Sequence, residues 1–170
     1  MMTEVTSVLN AARSAVGELT AAAEGAASEW TTPRAPGKWS PSQVVEHVAR
    51  ALEESANVVA GSRSKFPTFP RIVRPAVRVL FFNRVLRSGS FPKAKTTKPM
   101  DPSSGPATPF EGRARLEAAF AHFDRECRAR AETGEHVMST LFGSVPVADF
   151  VRFQEIHTRH HRTQMPPYPR

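Results

Sequence analysis

The chain has 170 residues, of which 40% are hydrophobic, so it fits one globular domain with a proper core but not two independent cores. No apolar run approaches the roughly 18 residues that a membrane-spanning helix needs, and the Ala-rich start lacks a signal-peptide core, so a cytoplasmic protein is expected. The formal net charge is +7, and the single cysteine, Cys127, cannot form an intramolecular disulfide and is expected to be a small core residue.

Two amphipathic helices are predicted in the first part of the chain. Apolar residues recurring at spacings of three and four predict the first helix over about residues 3–29. The second helix is predicted over about residues 40–60. Its start signal is specific: Ser40 can cap the helix, Pro41 suits its first position, and Gln43 completes a capping box.

A Pro-rich, irregular and basic insertion is predicted over residues 64–109. No acidic residue occurs from residue 55 to residue 100, where ten residues are Lys or Arg. Such a block can attract nucleic acid, anionic lipid or an anionic small molecule, although charge alone favours a solvated surface. A short helix over about residues 76–86 is expected to pack over the other helices rather than lie on a membrane. Its predicted inward residues are Val77, Leu80, Phe81 and Val85, and its predicted outward residues are Arg78, Arg84 and Arg87.

Two further amphipathic helices follow the insertion. The third helix is predicted over about residues 112–132, with Gly134 as its stop signal. Residues 136–145 are predicted to be a connector without strands, and the fourth helix is predicted over about residues 146–165. Four long amphipathic helices and no alternating strand pattern predict an all-α four-helix bundle, with residues 1–170 as a single domain.

Histidines cluster in the predicted fourth helix. His157, His160 and His161 fall within five residues and share one helical face with Gln164, on the side of the phenylalanines earlier in that helix. A lone inward histidine is more often a satisfied core residue, but several on adjacent turns must each find a hydrogen-bond partner or a metal. His47 lies in the apolar stripe of the second helix. One histidine from that helix and two from the fourth would make a three-His metal site with an open position.

Two motifs resemble those of a known family. The first is residues 39–47, WSPSQVVEH, and the second is residues 157–164, HTRHHRTQ. Both resemble the pattern of the DinB-like four-helix-bundle metalloproteins, also called YfiT-like: Trp-Ser-x-x-Gln with a His four residues on, and a later His-x-x-His-His-x-x-Gln. Phe142-Gly143 and the stretch Phe91-Pro92-Lys93 are similar to one uncharacterised branch of that family. The resemblance covers about residues 5–165.

The resemblance implies a fold, a site and a chemistry. The fold is an up-down-down-up four-helix bundle, and the metal ligands are His47, His157 and His161. His160 would hydrogen-bond or pack beside them, and Gln164 would orient a ligand or water. Characterised relatives include S-transferases and isomerases that use low-molecular-weight thiols such as bacillithiol, mycothiol or glutathione, and relatives often form homodimers. Zinc and nickel are the first candidates for the metal, although three imidazoles do not by themselves exclude copper or ferrous iron.

The basic insertion departs from the simpler members of this family. It could form a lid over the open metal position. In that case Arg84, Arg87 and Lys93 would bind the carboxylates of an anionic thiol or substrate.

Three classes of function follow from these patterns. The first is a metal-dependent enzyme acting on a small molecule, with thiol S-transfer ahead of hydrolysis. The alternative is a non-enzymatic metal-binding or stress-response helical protein. Nucleic-acid binding is disfavoured, because the basic block is expected to lack interleaved exposed aromatic residues and the chain has no helix-turn-helix or zinc-finger spacing.

Overall fold

The computed structural model describes residues 2–92, 96–134 and 136–166, which are predominantly helical. In chain order, the elements are α1 (Met2–Gly25), α2 (Pro41–Ala60), α3 (Arg74–Val77), α4 (Asn83–Ser88), α5 (Pro109–Glu132), β1 (Val137–Ser139), β2 (Gly143–Val145) and α6 (Val147–Arg162). A π-helical turn, Arg78–Phe82, joins α3 to α4, and short 3-10 turns occur at Ala27–Glu29 and Lys98–Met100. None of the helices in the described residues is both long and apolar enough to cross a membrane.

The long helices begin where local hydrogen bonds satisfy their first N–H groups. Ser40 Oγ accepts from the N–H of Gln43 at 3.3 Å, and Gln43 Oε1 accepts from the N–H of Ser40 at 3.0 Å, which forms the predicted capping box at the start of α2. α5 begins three residues before the predicted start, because the hydroxyl of Thr108 accepts from the N–H of Glu111 at 3.2 Å and Pro109 takes the first helical position.

α1, α2, α5 and α6 all contact one another and enclose the main hydrophobic core. The strongest packing joins α2 to α5 and α1 to α6. α2 and α5 run in the same direction, since Arg115 contacts Glu46 near both N-termini and Arg130 donates to the carbonyl of Val59 near both C-termini. α1 runs opposite to α5, as shown by the ion pairs Arg13–Asp124 and Glu24–Arg113. Cys127 is fully buried in the same core, as predicted.

The predicted strand-free connector between α5 and α6 is wrong. β1 and β2 form an antiparallel hairpin in which Val137 pairs with Val145. Ser139 Oγ accepts from the N–H groups of Leu141 and Phe142, and Gly143 takes a φ of 74°, which a side chain would strain. Three-residue strands are too short to show an alternating pattern, so the sequence carried no detectable strand signal.

The predicted orientation of the short helix in the insertion is partly wrong. Leu80, predicted inward, is 73% exposed, while Phe82 is buried. Arg78, predicted outward, is half-buried and donates to the carbonyl of Ser144 at 2.8 Å. The cause is the π-helical turn: its wider spacing brings Phe81 and Phe82 inward together, which a regular period of 3.6 residues did not anticipate.

Candidate metal centre

Three histidine side chains from two helices converge on one point. His47 is on α2, and His157 and His161 are one turn apart on α6. His157 Nε2 lies 3.3 Å from His47 Nε2 and 3.1 Å from His161 Nε2. Each of the three offers one ring nitrogen, and these nitrogens lie within 4.8 Å of one another. We refer to these three residues as the histidine cluster.

Second hydrogen bonds fix the orientation of two of these rings. His47 Nδ1–H donates to the carbonyl of Met100 at 2.8 Å, and a carbonyl can only accept. His161 Nδ1–H donates to Gln164 Oε1 at 3.2 Å. With the proton on Nδ1, the Nε2 atoms of His47 and His161 both present lone pairs to the centre of the cluster.

Burial keeps the imidazoles neutral. His47 and His161 are only 5% and 6% exposed, and His157 is a half-buried residue whose Nδ1 is buried. Loss of solvation lowers the pKa of His47, and it lowers the pKa of His157 and His161 well below the ordinary value, with mutual repulsion as a smaller cause. Neutral imidazole is the form that binds a metal ion.

The donor set fits a divalent cation. A tetrahedral cation with metal–nitrogen bonds of about 2.0–2.1 Å holds two ligand nitrogens about 3.3 Å apart. The two Nε2 separations at His157, 3.3 and 3.1 Å, match this spacing. Within the described parts of the chain, no other group of three or more His, Cys, Asp or Glu residues has metal-binding spacing.

The DinB superfamily model matches residues 8–165, nearly the whole chain. The chain belongs to the DinB superfamily. No match was found among curated proteins or among solved structures. Family membership confirms the resemblance that the two motifs indicated.

The side chains predicted to support the site lie beside it. Gln164 contacts two histidines: its Oε1 accepts from His161, and its Nε2 is 3.4 Å from His160 Nε2. His160 is half-buried, its ring centroid lies 5.1 Å from that of His161, and burial lowers its pKa. The structure therefore groups His160 and Gln164 with the cluster, in contact with His161 rather than at its centre.

Among the described residues, no contact links the predicted anion-binding residues Arg84 and Arg87 to this group. Arg84 and Arg87 are exposed on α4, and within the described residues neither makes a hydrogen bond or an ion pair. Lys93 lies outside the described residues. Nothing in the geometry of the site itself requires these arginines.

Three contacts at the site had no role in the sequence prediction. The ring of Trp39 lies 4.6 Å from that of His47, and the ring of Phe91 lies 5.0 Å from that of His157. Both aromatics were visible in the motifs, but their spacing along the chain did not reveal these ring contacts. The Met100 carbonyl had no sequence signal at all, because any residue type supplies a backbone carbonyl.

One end of the insertion lies against His47 and the start of α2. We call residues 98–106 the strap. The strap includes Met100, whose carbonyl accepts from His47. In the same segment Asp101 Oδ1 accepts from Trp39 Nε1 at 3.2 Å, and the Pro102 carbonyl accepts from Gln43 Nε2 at 3.0 Å. Pro106 anchors the far end by accepting from Ser42 Oγ at 2.7 Å. The capping residue Gln43 thus joins the start of α2 to the strap.

Proposed function

We propose that this chain is a divalent-metal-dependent enzyme of the DinB superfamily, with His47, His157 and His161 as the metal ligands. The observation that carries the proposal is the convergence of three neutral Nε2 atoms, two of them oriented by hydrogen bonds at Nδ1. The proposed reaction is S-transfer to or from a small-molecule substrate with a low-molecular-weight thiol as cosubstrate. Family resemblance supports this choice of reaction.

The protein residues have separate roles in this proposal. A bound divalent cation would offer an open position to a thiol or water and lower its pKa. The Met100 carbonyl and Gln164 hold two ligand rings in the metal-binding tautomer. Trp39 and Phe91 place aromatic rings against His47 and His157, where they would limit the access of water. The neighbouring carboxylates are not assigned as general bases, since Glu46 pairs with Arg50 and Glu155 pairs with Arg159.

The helix order proposed for this function is the family's up-down-down-up bundle, with residues 1–170 as one domain. What supports this order is the shared direction of α2 and α5 and the opposite direction of α1 and α5. That arrangement brings α2 and α6 into contact, which the three-His site requires.

Metal analysis of protein purified without a histidine tag tests the proposal. We expect about one divalent metal per chain, lost in His47→Ala and in His157→Ala because two imidazoles alone hold the metal weakly. His122→Ala is the matched control, since His122 lies on α5 and contacts Glu126 instead of the cluster. Circular dichroism checks that each variant remains helical. A folded wild-type protein that takes up no zinc or nickel at micromolar concentration would refute the metal site.

Activity is tested separately on the metal-loaded protein. Conjugation of glutathione, mycothiol or bacillithiol to chlorodinitrobenzene is expected to depend on the bound metal and to disappear in His47→Ala. Metal binding without turnover of any thiol would instead support the second candidate, a non-enzymatic metal-binding or stress-response helical protein in which the histidines hold a structural metal or none. The observation that favours this second candidate is that His157 Nε2 lies within hydrogen-bond distance of both neighbouring imidazoles, so the cluster can also be closed by N–H···N contacts.

A further inference from the structure

An apolar stripe on the insertion faces solvent. Ile72 lies in the turn before α3, Pro75 and Ala76 lie on α3, Val79 and Leu80 lie in the π-helical turn, and all five are exposed. Ile72 is 87% exposed, Leu80 is 73% exposed and Val79 is 51% exposed. Apolar side chains scattered singly on a surface are ordinary, but a stripe along one helical face indicates a binding surface.

The opposite face of the same helix holds this stripe outward. The ring of Phe82 is buried, with its centroid 4.8 Å from that of Phe142 and 5.0 Å from that of Phe153. Arg78 adds a hydrogen bond to the carbonyl of Ser144 in the hairpin. Rotating the helix to bury the stripe would expose Phe82 and break this hydrogen bond, so the apolar stripe is a fixed feature of the surface.

Arginines flank the stripe along the chain, and acidic residues do not. Arg71 precedes it, Arg84 and Arg87 follow it, and all three are exposed. None of these three forms an ion pair with a residue in the described portion of the chain. The sequence has no Asp or Glu from residue 55 to residue 100. Exposed aliphatic side chains framed by arginines match a layer of anionic headgroups above hydrocarbon.

We propose that residues 71–88 dock the protein on the surface of an anionic phospholipid bilayer. The aliphatic stripe enters the boundary between headgroups and acyl chains, and the flanking arginines contact lipid phosphates. A second copy of the same face is a poorer occupant, because two arginine-rich surfaces repel. A nucleic acid is also a poorer occupant, since it would use stacked aromatic rings and leave the aliphatic stripe in water. This inference does not depend on the histidine cluster.

Vesicle flotation of the full chain tests the docking surface. Vesicles of phosphatidylglycerol and phosphatidylcholine should bind the protein, pure phosphatidylcholine should bind it weakly, and added salt should weaken the anionic binding. Replacing Val79 and Leu80 together with Ser should weaken partitioning about tenfold by removing the inserted apolar groups. Phe110→Ser is the matched control, because Phe110 is 79% exposed on α5. It should bind like wild type.

A second pair of variants tests the charges. Arg84→Gln with Arg87→Gln should weaken binding to anionic vesicles about tenfold or more, at about 1 kcal/mol for each arginine near the membrane surface. Arg125→Gln with Arg152→Gln removes the same net charge from exposed positions on α5 and α6 and should leave binding near the wild-type level. His47→Ala should also bind vesicles normally, which separates this test from that of the metal site.

Three outcomes would overturn the proposal. The first is a helical wild-type protein that does not float with anionic vesicles. The second is equal weakening by the stripe variant and by its Phe110→Ser control. The third is another occupant: retention of a DNA or RNA duplex without vesicle binding, or a dimer in sedimentation velocity that dissociates when Val79 and Leu80 are replaced.

Discussion

Replacing Gln164 with Ala tests whether this side chain prepares His161 to bind a metal. Its Oε1 accepts from His161 Nδ1 at 3.2 Å, which directs Nε2 of a ring that is only 6% exposed toward His157. Loss of the acceptor leaves a buried N–H without a partner, which costs about 1–3 kcal/mol. Because Gln164 is half-buried, water can replace part of that bond, so the lower part of this range applies. We therefore expect metal affinity to fall about tenfold, or ~1.4 kcal/mol.

Competition with a chromophoric zinc chelator measures this change as a Kd. Gln164→Glu retains an acceptor for His161 Nδ1–H and is expected to stay near the wild-type affinity. Thr163→Ala is the adjacent control, since the Thr163 hydroxyl bonds only the carbonyl of His160. The reasoning is refuted if Gln164→Ala binds zinc as tightly as wild type, or if Thr163→Ala weakens zinc binding to the same extent.

Three further predictions concern stability and reactivity. Gly112→Ala should destabilise the fold by about 1–3 kcal/mol, because the added Cβ would lie 2.8 Å from the Trp30 ring. Gly17→Ala, in the middle of α1, should stabilise the fold by about 0.5–1 kcal/mol, because the added Cβ would have no atom within 4 Å. Urea unfolding measures both changes. Equal effects of the two substitutions would contradict the packing argument. In metal-free protein, the free energy of unfolding should fall as pH drops below about 6.5, by up to ~1.4 kcal/mol per pH unit for each residue of the histidine cluster. Stability falls because the unfolded histidines take up protons at pH values where the buried histidines, whose pKa is lowered, stay neutral. A urea midpoint that stays constant over this pH range would contradict the prediction. The Cys127 thiol should react with a thiol reagent only in denaturant, because it is fully buried and burial raises its pKa. Prompt labelling of the native protein would contradict this burial.

Periodicity and capping signals located the four long helices and the inward face of each. The capping box at Ser40 and Gln43 forms as predicted, and His47, assigned to the apolar stripe of α2, is buried. These features depend on how side chains are arranged around their own helix axis, which the order of residues determines. The grouping of His47 with His157 and His161 was also predictable, since motifs on two inward faces must meet in a core that both helices share.

Contacts made by the insertion could not be read from the order of residues. The stripe from Ile72 to Leu80 faces solvent because a π-helical turn moves Phe82 into the core, and one extra residue in a turn leaves no mark in the hydrophobic pattern. The Met100 carbonyl reaches His47 because the strap crosses the start of α2, and backbone groups look alike in every sequence. Local pattern thus determined the helices and their inner faces. Tertiary packing decided what covers the histidines and what the insertion leaves exposed, because both depend on residues far apart in the chain.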